Sequence, residues 1–338
     1  MGAQTSLRIH FSSADLARTY LADLPDPVWE SVLSIHLLQA RRALSVFGEW
    51  RRRVGRELHR RRLVDQVRAG LFSVSPAFGY FPDFLTPPEG RLGLDAATEA
   101  IVATPPARVG AELRNLTAPR NGAYLAALAG RQPTARRRLA ATLRRYHAAA
   151  VAPYWPDITA RAQADRVLHA QALCTRGIDG VLDGLGPRIR WRPPVLEADY
   201  PVDRDLVLDG RGLVLVPSYF CWRYPVTLAD DALPPTLVYP MEHDREWLTP
   251  SAGYPVGPSA PAARLLGPTR AAILRATTAG ATTGELADRV GISPAGVSQH
   301  TTILRDAGLI TSHHRDRHTV HVATELGTAL LSGGRPPH

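Results

Sequence analysis

The most constraining stretch of this chain lies between Thr282 and Gly308, where helix starts and stops follow one another closely. Thr282-Thr283-Gly284-Glu285 has the spacing of a capping box, in which a hydroxyl and a glutamate three residues on satisfy each other's backbone amides. It predicts a short helix through Leu286 to Val290. Gly291 ends that helix, because a left-handed residue costs glycine little. Ser293-Pro294 then offers an N-cap and a first-turn proline for a second helix that runs to about Asp306, with Gly308 as its stop. Two short helices joined by a glycine-bearing turn form a helix-turn-helix.

Spacing sorts the second helix into two faces. Val297, Thr301 and Leu304 fall at i, i+4 and i+7 and should point inward. Ser293, Ala295, Ser298, Gln299, Thr302 and Arg305 then occupy the outer surface. Serine, glutamine and threonine suit the donor and acceptor edges of the major groove, where glutamine pairs bidentately with adenine, and small residues at the helix start allow close approach. Beyond Gly308, Leu309 to His313 and His318 to Val322 alternate like two strands around His314-Arg315-Asp316-Arg317. This hairpin reads as a wing whose Arg315, Arg317 and His318 would meet phosphates or a minor groove.

The run LLGPTRAAIL…TTGELADRVGISPAGVSQHTTILRDAGLI…RDRHTVHVA resembles the winged helix of the ArsR/SmtB regulators, over roughly residues 263 to 324. The resemblance implies a dimeric repressor of a pseudo-palindromic duplex operator, released by a signal. Three departures bear on it. No cysteine stands at 283–288 for the family's thiolate metal site, Thr301 replaces a usual aliphatic residue, and the closing helix from Thr324 to Leu331 is short for a dimerisation element. The whole chain looks like long actinobacterial members with an N-terminal extension, and this resemblance implies that dimerisation and effector sensing have moved to that extension.

At 338 residues there is room for about two domains. Residues 249–262 hold four prolines and two glycines and read as a linker. This divides the chain into a 1–248 domain, a 263–331 winged domain and a disordered 332–338 tail. Helices are expected at about 50–72, 92–103, 107–116, 122–130, 134–150 and 155–184, with another after Pro27. Strands are expected at Leu7–Phe11, Ile189–Arg192, Leu206–Leu208, Leu213–Val216 and Leu237–Tyr239. Asp209-Gly210 between two of them is a hairpin signal. The fold class is therefore α+β, a mainly helical first domain with a small antiparallel sheet followed by the winged helix-turn-helix.

All 40 basic residues are arginine and the net charge is +9, which favours a polyanionic partner. The excess lies upstream of the winged region. Residues 41–62 hold nine arginines against two acids and residues 131–145 hold six against none, whereas 261–322 hold seven against four. Two readings stand for the upstream segments: an added phosphate footprint, or solvated helix faces with apolar stems.

Other features carry less. Cys174 and Cys221 lie far apart and read as two buried thiols. His36 lies on an apolar stripe and reads as a hydrogen-bonded core histidine. Glu242-His243-Asp244-Arg245-Glu246 lacks a metal-ligand spacing and reads as a polar loop. The wing histidines 313, 314, 318 and 321 could bind a metal or sense pH, and are taken as polar residues facing DNA. Tyr219, Phe220 and Trp222, with Tyr154 and Trp155, are rich enough in aromatic surface to mark an effector pocket or a core. No nucleophile elbow, P-loop or dinucleotide fingerprint is present, so no catalytic residue, metal or cofactor is expected. No apolar run or leader marks a membrane or secretory route, which implies a cytoplasmic protein. The rival to a DNA-binding regulator is an enzyme or small-molecule-binding protein whose winged helix contacts other proteins; an architectural binder without sequence preference is the third reading.

Overall fold

The computed structural model describes residues 5–40, 44–117, 121–222, 224–242, 265–315 and 318–331. The chain forms two compact units, residues 1–248 and 249–338. The expected linker, the tail, most of the 242–246 cluster and the wing tip lie outside the described residues.

The first unit is α+β, with two four-stranded sheets of mixed sense in place of one small antiparallel sheet. In the first sheet, β1 (Ser6–His10) runs antiparallel to one neighbour, Val195–Asp199, and parallel to the other, Arg204–Val207, with Ile189–Arg192 at the edge. Strand alternation buries Leu7 and Ile9 completely and leaves Arg8 and His10 facing Asp205. The second sheet is built on β2 (Tyr20–Leu21), Val214–Ser218 and Thr236–Pro240, all parallel, with Val226–Thr227 antiparallel at one edge. Every residue of Val214–Ser218 is buried, as a strand covered on both faces requires.

The Asp209-Gly210 hairpin does not form. The turn conformation is present, with φ of 52° at Asp209 and 74° at Gly210, but its flanking strands belong to different sheets. A short helix and β2 take the edge that the hairpin partner would have used. Gly212 N–H donates to Asp15 Oδ1 at 3.1 Å, Leu213 N–H to Thr19 Oγ1 at 3.2 Å, and Tyr20 N–H to the Leu213 carbonyl at 3.1 Å. A turn dipeptide specifies local dihedrals, not the strand partner.

The helical layer begins with α1 (Ser13–Arg18) and α2 (Pro27–Gln39), whose N-terminus is capped by the Asp26 carboxylate. Helix α2 is buried on nearly all sides and carries Glu30 with it. Glu30 is fully buried and accepts from Tyr219 N–H (2.7 Å), Phe220 N–H (2.9 Å) and the Ser218 hydroxyl (3.0 Å), tying α2 to the loop after the Val214–Ser218 strand. Burial outweighs those donors and pushes its pKa up to about 7. His36, one turn from the end of α2, is not hydrogen-bonded as expected. Its Nε2 has no partner among the described residues, its ring packs edge-on against Phe81 at 5.1 Å, and burial lowers its pKa to about 4.

The predicted 50–72 helix divides. Helix α3 (Leu44–Arg60) stops at a turn where Arg62 has φ 54°, and short helical turns resume from Val64 to Val74. Then follow α4 (Leu94–Ala103), α5 (Pro106–Leu113), α6 (Gly122–Leu128), α7 (Thr134–Ala150) and α8 (Trp155–Asp183), close to the expected segments. Helix α8 breaks at Gly177, where φ is 67°. Just before the break it projects Leu168 and Leu173 outward, and Cys174 is exposed; only Cys221 is a buried thiol. The period that predicted a long helix did not show that its stretch from 170 to 179 leaves the core before Gly180, Val181 and Leu182 return to it. No described helix is long and apolar enough to cross a membrane.

Candidate nucleic-acid interface

In the second unit, α9 (Pro268–Ala276) leads to a two-residue strand, Ala281–Thr282, and then to α10 (Thr283–Val290). The capping box is formed in both directions. Glu285 N–H donates to Thr282 Oγ1 at 3.3 Å, and Thr282 N–H donates to Glu285 Oε2 at 2.8 Å. Gly291 ends α10 in the left-handed conformation, φ 69° and ψ 36°. Ser293 caps α11 (Pro294–Asp306) by accepting from Gly296 N–H at 3.2 Å, with Pro294 in the first turn.

The inward face of α11 is mounted on a small apolar core. Val297 and Leu304 join Ile273, Leu274, Leu286, Leu309 and Ile310 in one cluster. Thr301 is also buried, and its hydroxyl donates to the Ser298 carbonyl at 3.1 Å, so the polar atom at this core position is satisfied within the helix. Strand Ile310–Arg315 pairs antiparallel with His318–Ala323, which pairs in turn with Ala281–Thr282. The closing helix α12 (Glu325–Leu331) packs Leu330 and Leu331 onto the same core.

Every residue predicted on the outer face of α11 is exposed: Ser293, Ala295, Ser298, Gln299, Thr302 and Arg305. Their hydrogen-bonding states differ. Ser298 Oγ donates to the Pro294 carbonyl at 3.1 Å, and Thr302 Oγ1 donates to the Ser298 carbonyl at 2.9 Å. With their protons spent inside the helix, both hydroxyls offer lone pairs outward and suit base donors such as cytosine N4 or adenine N6. Gln299 has no partner among the described residues, so its amide retains both donor and acceptor groups. Arg305 stands 3.7 Å from Asp306, a loose and exposed pair.

Sequence spacing missed Ile303. It lies on the same helix, 42 % exposed, one turn on from Gln299. An exposed branched apolar side chain beside polar readers is suited to a thymine methyl. The signal was available: Ile303 falls outside the i, i+4, i+7 set that faces the core.

The wing histidines separate. His313 and His314 are exposed, and His314 Nδ1 lies 3.0 Å from Thr319 Oγ1. His321 instead is buried, bridging Ser312 Oγ (2.8 Å from Nδ1) and Thr283 Oγ1 (3.1 Å from Nε2). It therefore fastens the wing to the start of α10 and does not face DNA. Burial, then the charges of Arg305 and His314, lower its pKa. Strand register sets this: His321 pairs with Ser312 on the face turned to α10. Among the described residues no three His, Cys, Asp or Glu side chains converge as a metal site would need. Arg315 and His318 end their strands at the hairpin tip, and Arg317 lies outside the described residues.

The aromatic residues singled out upstream share one core in the first unit. Tyr219 and Phe220 are fully buried, packed against each other and against Phe47, and Phe220 also packs on Trp50. Tyr154, Trp155 and Trp222 are partly buried at the margin of the same cluster.

A family model described as a helix-turn-helix domain matches residues 265–313. No curated protein and no solved structure matches the chain. The matched span holds α9, α10, α11 and the start of the wing, so the second unit is a helix-turn-helix domain of the DNA-binding type.

Proposed function

We propose that the chain is a sequence-specific transcription regulator that binds duplex DNA as a homodimer and acts in the cytoplasm as a repressor under effector control. The observation that carries the reading is the outer face of α11: an unpartnered Gln299 amide flanked by two acceptor hydroxyls and Ile303, all exposed on a helix held rigidly from behind. That is a surface for reading base edges: from Ser293 to Arg305 it holds no acid, and Ile303 is its one exposed large apolar side chain, so it lacks the acidic or apolar cluster that a protein-binding face would favour. Resemblance to the ArsR/SmtB winged helix supports the dimeric, repressing form. Two copies would set their α11 helices in successive major grooves about 34 Å apart.

Within this reading Ser293, Ala295, Ser298, Gln299, Thr302 and Arg305 meet the duplex through α11, while Arg315, Arg317 and His318 hold phosphates from the wing. An effector acting on the first unit would meet Tyr154, Trp155 and Trp222 at the edge of the aromatic cluster before the enclosed Tyr219 and Phe220.

Selection of duplexes from a randomised library by the full-length protein tests the reading. The expected result is an enriched pseudo-palindrome with half-sites one helical turn apart, bound by two chains. Recovery of unenriched sequence would instead favour architectural binding, and no recovery of DNA at all would favour the protein-interaction rival.

A further inference from the structure

The fold brings together the ends of the two arginine-rich segments. Arg60, Arg61 and Leu63, from the end of α3 and the turn after it, and Arg144, Arg145 and Ala148, from α7, line one open cleft of about 590 Å3. The two helices are held against each other by buried contacts, among them Trp50 Nε1–H donating to the Ala150 carbonyl at 2.9 Å. The cleft therefore exists before any ligand arrives.

Its guanidinium groups are only partly engaged. Glu57 receives Arg60 through Nε (2.8 Å) and Nη2 (2.6 Å), and Arg61 through Nε (2.5 Å). Arg144 reaches Asp95 through Nε at 3.0 Å, and Arg145 reaches Gln66 Oε1 through Nη1 at 2.8 Å. Four positive groups thus face two carboxylates. Arg61 and Arg144 use Nε alone, so their terminal nitrogens have no partner among the described residues. Those nitrogens are the paired, planar donors that match phosphate oxygens.

Shape separates this cleft from a solvated helix face. A solvated face spreads its arginines along one helix, whereas these four come from two elements and converge on one shallow, open depression lined also by the buried Leu63. Donors converging from two helices on one spot suit a compact anion, whereas a duplex backbone is held by contacts spread along its length.

We propose that the α3–α7 cleft binds a small ligand bearing two or more phosphate groups. Arg61 and Arg144 clamp it from opposite sides, and Arg60 and Arg145 add charge at the rim. This goes beyond the DNA-binding reading and does not depend on it.

Calorimetric titration of the full-length protein with inorganic tripolyphosphate, at constant ionic strength, is the test. Saturable binding is expected, weakened at least tenfold in the Arg61→Gln/Arg144→Gln double variant and unchanged in Arg192→Gln, which removes a more exposed charge from the first sheet. Ala148→Glu places a carboxylate in the cleft without touching an existing pair and is expected to weaken binding similarly, which covers a double variant that misfolds. Equal affinity in Ala148→Glu and the unaltered protein would overturn the proposal. So would an absence of saturation by tripolyphosphate combined with weaker binding of an arbitrary duplex by the same variants, which would assign the cleft to the DNA backbone. Selection of a pseudo-palindrome by α11 is a separate readout and can succeed or fail independently.

Discussion

Helices α3 and α11 both turn a row of polar side chains to solvent, and they use them differently. On α3 the acids are shared among arginines of the same helix. Glu49 holds Arg52 and Arg53 at i+3 and i+4, and Glu57 holds Arg60 and Arg61 in the same way. On α11 the outward groups are uncharged except Arg305 and Asp306 at its last turn, and Gln299 is left without a partner among the described residues. The first pattern supplies positive charge that a polyanion of any sequence could use. The second supplies direction and hydrogen-bond polarity, which discriminate one base from another. Net charge and unspent hydrogen-bond groups thus sit on different helices, and under the proposed readout by α11 the basic composition alone points to the wrong one.

The comparison breaks most easily at the mounting of α11. Leu304 is 1 % exposed in the small core of the second unit, and Leu304→Ala is expected to cost about 2–5 kcal/mol of that unit's stability, as for other buried leucines. Binding to any duplex should fall with it. Leu58→Ala in α3 removes a similarly buried side chain from the first unit and should leave the sequence preference of the remaining folded protein unchanged. Denaturant unfolding and duplex binding on both variants check this. Equal loss of sequence preference in the two would mean that readout does not rest on α11.

Buried titratable groups separate the units next. Glu30, with its pKa raised from 4.5 to about 7 by burial, binds a proton more tightly in the folded state than in the unfolded one. Its stabilising contribution is complete below about pH 4.5 and is lost as pH rises through about 7, on the order of 3 kcal/mol. His36, lowered to about 4, acts in the opposite sense below pH 6.5, but Glu30 together with Asp26 and Asp83 outweighs it, so the stability of the first unit should slope downward across that window, and less steeply in Glu30→Gln. Calorimetric unfolding at a series of pH values measures it; a slope equally steep in the variant would place the effect on Asp26 or Asp83, both raised to about 6 by burial.

Gln299→Ala should weaken binding to the selected operator by about 1–3 kcal/mol and leave an arbitrary duplex nearly unaffected. Arg52→Gln, on α3, should show no such difference between the two DNAs. Competition binding with both duplexes decides: a uniform loss for Gln299→Ala would remove this residue from base readout.

How much of this was legible in sequence follows the same division. In the second unit, short-range chemistry determines structure. Thr282 and Glu285 cap each other, Gly291 must be left-handed, Ser293 and Pro294 start a helix, and Val297, Thr301 and Leu304 repeat at helical spacing. Each signal is complete within a few residues, so the motif could be read directly. In the first unit the deciding contacts span most of the chain. The Asp209-Gly210 turn was recognisable, but Asp15 and Thr19, nearly two hundred residues earlier in sequence, decide where its flanks go. Glu30 looked like one polar residue on an apolar helix; its three donors come from residues 218–220. The arginine runs were obvious, whereas the convergence of Arg61 with Arg144 required the packing of α3 on α7.

His321 carries the smallest expected effect and the opposite sign to Glu30. Its pKa is lowered, chiefly by burial and further by Arg305 and His314, so the folded state binds its proton less tightly than the unfolded state. The stability that goes with a neutral His321 is therefore complete above the ordinary imidazole value near 6.5 and is lost as pH falls below it. Both hydroxyl partners, Ser312 and Thr283, can accept as well as donate, so protonation need not break either bond, and the effect stays modest. Acidification from pH 7 to 5 should thus lower the melting temperature of the second unit while it stabilises the first. Substituting His321→Gln, which keeps one donor and one acceptor, should flatten only the second unit's response. Two transitions that shift in the same direction on acidification, or a second-unit slope unchanged in His321→Gln, would show that the imidazole bridging wing and helix does not control how this unit responds to protons.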